Sequence, residues 1–131
     1  MADVYCALLH HPVKDRAGET VTTAVTTLDV HDIARSALTF GLRGYFVVSP
    51  IEAQHVLIDR VLSHWRTGAG VQRMPERGQA LSICRSAMTL DEVCDRIEGE
   101  AGAPPALWTT AAAPGAERKV TPFSEGARLI K

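Results

Sequence analysis

The side chain in this sequence we single out for chemistry is Arg35. It stands four residues after His31 and three after Asp32 in the run Leu28-Asp-Val-His-Asp-Ile-Ala-Arg35, a spacing that gathers the three on one side of a helix. A guanidinium is planar, matches phosphate oxygens and cannot lose its charge. Arg35 is therefore a candidate for a phosphate contact or for proton transfer facing a nucleic-acid substrate, the plain alternative being a solvated arginine paired with Asp32. Arg60, Arg66, Arg73 and Arg77 follow along the chain and would extend a phosphate-binding track if they share a face. Surface arginines also serve simply to keep a fold soluble. We take His10, His31, Asp32, Arg73 and Arg77 as candidate substrate contacts. His10, His11 and His31 invite a metal reading, but no carboxylate or thiol stands at ligand spacing from His10-His11, so no metal is expected.

Other chemistry is missing from the pattern. There is no phosphate-binding loop of the G-x-x-x-x-G-K-[ST] type, no G-x-G-x-x-G between strand and helix, and no G-x-S-x-G. Gly68-Ala-Gly70 follows a helix, which makes it a poor phosphate cradle.

The elements that must position these residues can be read from periodicity. Val4 to Leu9 is a short apolar run ending at His10-His11-Pro12, as a buried strand would. Val13 to Leu28 reads as a long loop with room for a short extended piece. Asp29 then caps a helix with Val30, Ile33, Ala34, Ala37 and Leu38 as its apolar stripe, ending at Gly41. Tyr45 to Val48 is a second strand. Ser49-Pro50-Ile51-Glu52 predicts a capping box with proline at the first helical position, opening a helix with Ile58, Val61, Leu62 and Trp65 inward. A loop holding Arg66, Arg73, Pro75, Arg77 and Gly78 leads to a third strand over Leu81 to Ser86. Thr89-Leu-Asp-Glu92 is another capping box, before a helix with Leu90, Val93, Cys94 and Ile97 inward. Ala106 to Thr109 reads as a fourth strand, Ala111 to Lys119 as a loop, and Thr121-Pro122 as the start of a last helix through Ile130. The expected fold is α/β, a mostly parallel sheet of about four strands with helices on both faces. Ligands of such sheets sit beyond the carboxyl ends of the strands, here His10-His11, Ser49-Pro50, the residues after Ser86, and Thr109-Thr110.

Composition sets the outer bounds. The chain has 131 residues, enough for one domain, and 46% of them are hydrophobic, enough to bury a core without disulfides. Fourteen Lys and Arg against fifteen Asp and Glu leave a net charge of -1, so nucleic-acid binding would need a local patch and not a global basic field. Cys6, Cys84 and Cys94 are odd in number and far apart, as reduced core thiols of a cytoplasmic protein would be. With no basic leader and no apolar stretch long enough to span a bilayer, we expect a chain neither exported nor inserted.

Val4 to Pro12 (VYCALLHHP), Thr22 to Arg35 (TTAVTTLDVHDIAR), Gly44 to Gln54 (GYFVVSPIEAQ) and Thr89 to Gly102 together resemble a bacterial family of SPOUT-superfamily RNA methyltransferases. The resemblance runs over nearly the whole chain and is most specific in Leu28 to Arg35. It implies a trefoil-knotted α/β fold, S-adenosylmethionine as methyl donor, an RNA substrate (tRNA or rRNA) and a homodimer. The same block is similar to the first motif of the wider tRNA ribose methyltransferases, where an Asn-rich turn opens a helix carrying a functional arginine, and Arg35 falls at that position; Thr27 stands where the family usually has asparagine. Thr109, Thr110 and Ala111 fall at the loop after the fourth strand and are the expected cofactor contacts. The family continues into a further strand, a Gly-Thr-Gly loop and an Asn-His-Leu-Ser-Val-Arg segment that forms the knot, and this sequence lacks all three. Two functions then compete: methyl transfer to RNA, with the donor held close to its acceptor, and a non-catalytic, truncated or split module for RNA binding or dimerisation. A stand-alone nucleotide-binding protein is the third, and it has no phosphate motif to rest on.

Overall fold

The computed structural model describes residues 2–110 and 120–130, and their side chains except those of Ala69 and Val71. Three parallel strands form the sheet: β1 (Tyr5–Leu9), β4 (Gly44–Val48) and β5 (Cys84–Ala87), with β4 in the centre. A small antiparallel hairpin, β2 (Val13–Lys14) and β3 (Thr20–Val21), occupies part of the stretch expected to be loop. Asp15 closes its turn by accepting from the amides of Ala17 and Glu19.

Register explains the layering. Cys6, Tyr45 and Cys84 lie in one row across the sheet, and with period-two alternation they and Val47 face one side while Phe46, Val48 and Ala87 face the other. The first side packs against Val30, Ala34 and Ala37 of α1 (Thr27–Thr39), Ile58 and Leu62 of α2 (Glu52–Arg66), and Leu81. The second packs against Val93 and Ile97 of α5 (Leu90–Ala101). Helices therefore cover both faces, as expected, and β4 is buried along its whole length. Burial favours the protonated thiols: it pushes Cys84 up to about 12 and raises the half-buried Cys6 above its ordinary value.

Several expectations are corrected. The third strand starts at Cys84, because Leu81 belongs to α4 (Pro75–Leu81), where Pro75 sits at the first helical position and Ala80 and Leu81 turn inward. The loop between α2 and β5 thus contains two short helices, α3 (Ala69–Arg73) and α4. Asp29 is not the cap of α1; Thr26 is, and Asp29 is the third helical residue that answers it in a capping box. The box expected at Ser49 does not form, since α2 begins at Glu52 after Ile51, leaving Pro50 outside and the Ser49 hydroxyl bonded to Gln54. Ala106 to Thr109 is not a strand: no edge among the described residues pairs with it, and Leu107 and Trp108 are exposed. The sheet therefore has three strands among the described residues and not four. The last helix, α6 (Phe123–Leu129), follows Pro122, and Gly126 faces the Trp108 ring.

Candidate functional site

Two polar groupings flank α1. At its N-terminus the Thr26 hydroxyl accepts from the Asp29 amide at 3.1 Å, and Asp29 Oδ2 accepts from the Thr26 amide at 2.9 Å. The same carboxylate oxygen lies 3.3 Å from His10 Nε2. His10 is only 4% exposed, and its Nδ1 is buried without a partner among the described residues. Burial pulls the Asp29 carboxyl upward, but the Thr26 amide, the His10 ring and the Thr26 hydroxyl outweigh it and hold Asp29 below its ordinary value. The Tyr45 hydroxyl donates to the Asp29 carbonyl at 2.9 Å. One acidic residue thus ties the end of β1 and the central strand to the first turn of α1.

The second grouping centres on Trp65, where α1, α2 and α4 meet. The His31 ring approaches Trp65 edge-on at 5.5 Å, and the His64 ring does so at 5.0 Å. The Arg77 guanidinium lies over the indole at 4.9 Å, a cation–π contact. Two glycines allow this approach. A Cβ on Gly70 would fall 2.5 Å from Trp65 Cε3, and one on Gly78 would fall 2.5 Å from the Trp65 carbonyl oxygen. Burial lowers the His31 pKa, and Arg77, Arg35 and His64 lower it further against the opposing pull of Asp32.

The arginines differ in how they are paired. Arg43 pairs with Asp3, Arg85 with Glu100, and Arg96 with Glu92, while Arg66 donates to the carbonyls of Leu81, Ser82 and Cys84 at 2.7, 3.2 and 2.5 Å. Among the described residues Arg35, Arg60, Arg73 and Arg77, all on helices α1 to α4, have no carboxylate within ion-pair distance. On the opposite face α5 carries five acidic residues and one arginine. Helices α1 to α4 carry five carboxylates (Asp29, Asp32, Glu52, Asp59 and Glu76) beside five arginines, so their face differs from the acidic α5 in being balanced in charge, with four arginines left without an ion pair.

The structure unites only part of the expected site. Arg35 and Asp32 lie on the exposed side of α1 without an ion pair between them, and with Ser36, Thr39 and Phe40 they line a shallow hollow of about 300 Å³. His31 and Arg77 meet at Trp65. Arg73, exposed at the end of α3, is on the neighbouring element. His10 is separate, buried at the N-terminus of α1, where Asp29 stands six residues, roughly 9 Å along the axis, before Arg35. Thr109 and Thr110 are exposed, without regular structure, and Ala111 lies outside the described residues. Among the described residues no three His, Cys, Asp or Glu side chains converge as a metal set would.

Some participants escape sequence reasoning. Trp65 reads as a core residue of the α2 stripe, and its role as the hub depends on contacts to α1 and α4 that only folding reveals. Ser49, Gln54 and His55 form a further network at the strand ends: Ser49 donates to Gln54, Gln54 Nε2 reaches the Thr23 carbonyl at 3.5 Å, and His55 donates to the Ser49 carbonyl at 2.6 Å. The available signal was their place just past the second strand, where ligands of parallel sheets collect.

A family model described as SAM-dependent RNA methyltransferase matches residues 3–130. The chain belongs to this family. Among its relatives is a protein of Oleidesulfovibrio alaskensis named tRNA (guanine-N(1)-)-methyltransferase, 43% identical over 110 residues that cover 84% of this chain and 26% of the relative. A protein of the same name from Nitratidesulfovibrio vulgaris is 41% identical over 96 residues, 73% of this chain and 22% of its own length. An uncharacterized protein of Aquifex aeolicus is 41% identical over 105 residues, 80% of this chain and 51% of its own. The chain thus spans about half the length of the Aquifex relative and about a quarter of the other two. Among the described residues no helix is long and apolar enough to cross a membrane.

Proposed function

We propose that this chain forms the RNA-facing part of a SPOUT-type methyltransferase that moves a methyl group from S-adenosylmethionine to tRNA or rRNA. Family membership supports the chemistry, and the four arginines of α1 to α4 that have no ion pair among the described residues, set against the acidic excess of α5, are the observation that carries the assignment of the face. In this reading Arg35 contacts the substrate at the reacting centre. His31, Asp32, Arg73 and Arg77 hold the RNA around it. His10, buried with Asp29, acts by keeping the loop between β1 and α1 in place and does not touch the RNA. The protein works as a cytoplasmic homodimer.

The methyl donor needs more than these residues. Thr109 and Thr110 are exposed, and the hollows on α1 are shallow, about 300 and 160 Å³, whereas cofactor sites bury most of their ligand. The described residues do not by themselves enclose the donor, so in this reading it is held by chain beyond them. The same observation favours the second reading, a non-catalytic RNA-binding or dimerising module.

The test is transfer of labelled methyl from S-adenosylmethionine to bulk bacterial RNA by the protein that carries this chain. Transfer that falls by two orders of magnitude or more, about 10²-fold in R35A, supports the enzyme. Equal transfer by wild type and R35A returns Arg35 to a solvated surface role. RNA binding with no transfer, and no calorimetric response to S-adenosylmethionine, supports the module.

A further inference from the structure

The groups around Trp65 are cations, or groups able to become cations, with little to neutralise them. His31 of α1 faces Arg77 of α4 and His64 and Trp65 of α2, with Arg35 and Asp32 from its own helix. Asp32 is the one carboxylate in that set, and it is exposed. The His31 ring makes no hydrogen bond among the described residues, and its Nδ1 is buried. Like charges held together in a half-buried place repel unless an anion joins them. An anion seated here would also reverse the sign of the field on His31.

We propose that the His31–His64–Trp65–Arg77 cluster seats a backbone phosphate of RNA, and that His31 takes up a proton from solvent as the RNA binds. The inference rests on the RNA-methyltransferase reading and adds to it the position of one phosphate and a dependence of affinity on pH. In the free protein His31 is neutral near pH 7, because burial and Arg77 lower its pKa. A phosphodiester brings a negative charge to the cluster and stabilises the imidazolium. Affinity therefore rises as pH falls below the pKa of the bound state, by up to about tenfold per pH unit, and levels off once the free protein is itself protonated. The guanidinium stacked on Trp65 keeps its charge throughout.

The experiment follows the His31 ring by NMR, assigned by its loss in H31Q, through a pH titration of the full chain with and without a short mixed-sequence RNA. RNA affinity is measured by fluorescence anisotropy over the same range. The expected result is a higher His31 pKa in the presence of RNA, with a pH dependence of affinity that H31Q removes. R77Q gives an independent check if H31Q does not fold: it raises the His31 pKa of the free protein, yet weakens RNA binding and lowers its salt slope by about one. RNA that binds without moving the His31 pKa overturns the inference and leaves the RNA reading standing. Failure to bind any RNA overturns both. An equal shift caused by inorganic phosphate at the same phosphate concentration overturns the assignment to RNA.

Discussion

The geometry around Trp65 can be tested by making the same chemical change at two glycines. Gly78 lies in α4 and Gly99 in α5, both inside helices. Glycine to alanine inside a helix gains roughly 1 kcal/mol of helix propensity, so absent other contacts each variant would be stabilised. A Cβ at Gly99 meets nothing within 4 Å. G99A is therefore expected to gain roughly 0.5–1 kcal/mol. At Gly78 the Cβ falls 2.5 Å from the Trp65 carbonyl oxygen, short of the 3.4 Å at which ordinary contact begins. The obstacle is backbone, so α4 must retreat from α2 by most of an ångström. Overpacking of that kind costs about 1–3 kcal/mol, and taking the upper part of the range leaves G78A destabilised by about 2 kcal/mol after the gain in propensity. The two variants should then differ by about 2.5–3 kcal/mol in urea denaturation, and G78A alone should weaken RNA binding as Arg77 leaves the indole face. A G78A protein as stable as G99A would refute the close approach of α4 to α2.

Further outcomes concern Asp29 and Arg66. D29A removes a partner of the Thr26 amide and the one partner that the His10 ring has among the described residues, and we expect a loss of about 1–2 kcal/mol in denaturation. Because the folded state holds the Asp29 pKa below its ordinary 3.8, its contribution is present above about pH 4 and disappears as pH falls through the folded value; the acid limb of stability should flatten in D29N. R66A strands three backbone carbonyls at the end of α4 and the start of β5, and should cost about 2–3 kcal/mol. Lysine at that position should recover only part of this, since it lacks the planar fork.

What the sequence made legible follows from where periodicity is long and uninterrupted. The thirteen-residue α1 and the twelve-residue α5 each show enough turns for the apolar stripe to declare itself, and Tyr45 to Val48 is apolar throughout because the central strand is buried on both faces. Between Arg66 and Cys84 the pattern breaks down. α3 and α4 are short, Gly70 and Gly78 replace side chains that would have marked a face, and Leu81 to Cys84 is too brief to tell helix end from strand start. Ala106 to Thr109 has strand composition, but a strand exists only against a partner. The site divides the same way. His31, Asp32 and Arg35 come from local spacing, whereas Trp65 and Arg77 join them only through the docking of α2 and α4, and His10 appears polar in sequence yet lies buried because Asp29 receives it.

RNA should meet the face built by α1 to α4 and not the acidic α5. Photocrosslinking of bound RNA to the protein, read out by mass spectrometry, tests it most directly. Crosslinks are expected at or beside His31, Arg35, Trp65 and Arg77, with none on Leu90 to Ala101. Crosslinks concentrated on α5, or spread evenly over both faces, would contradict this placement of the RNA.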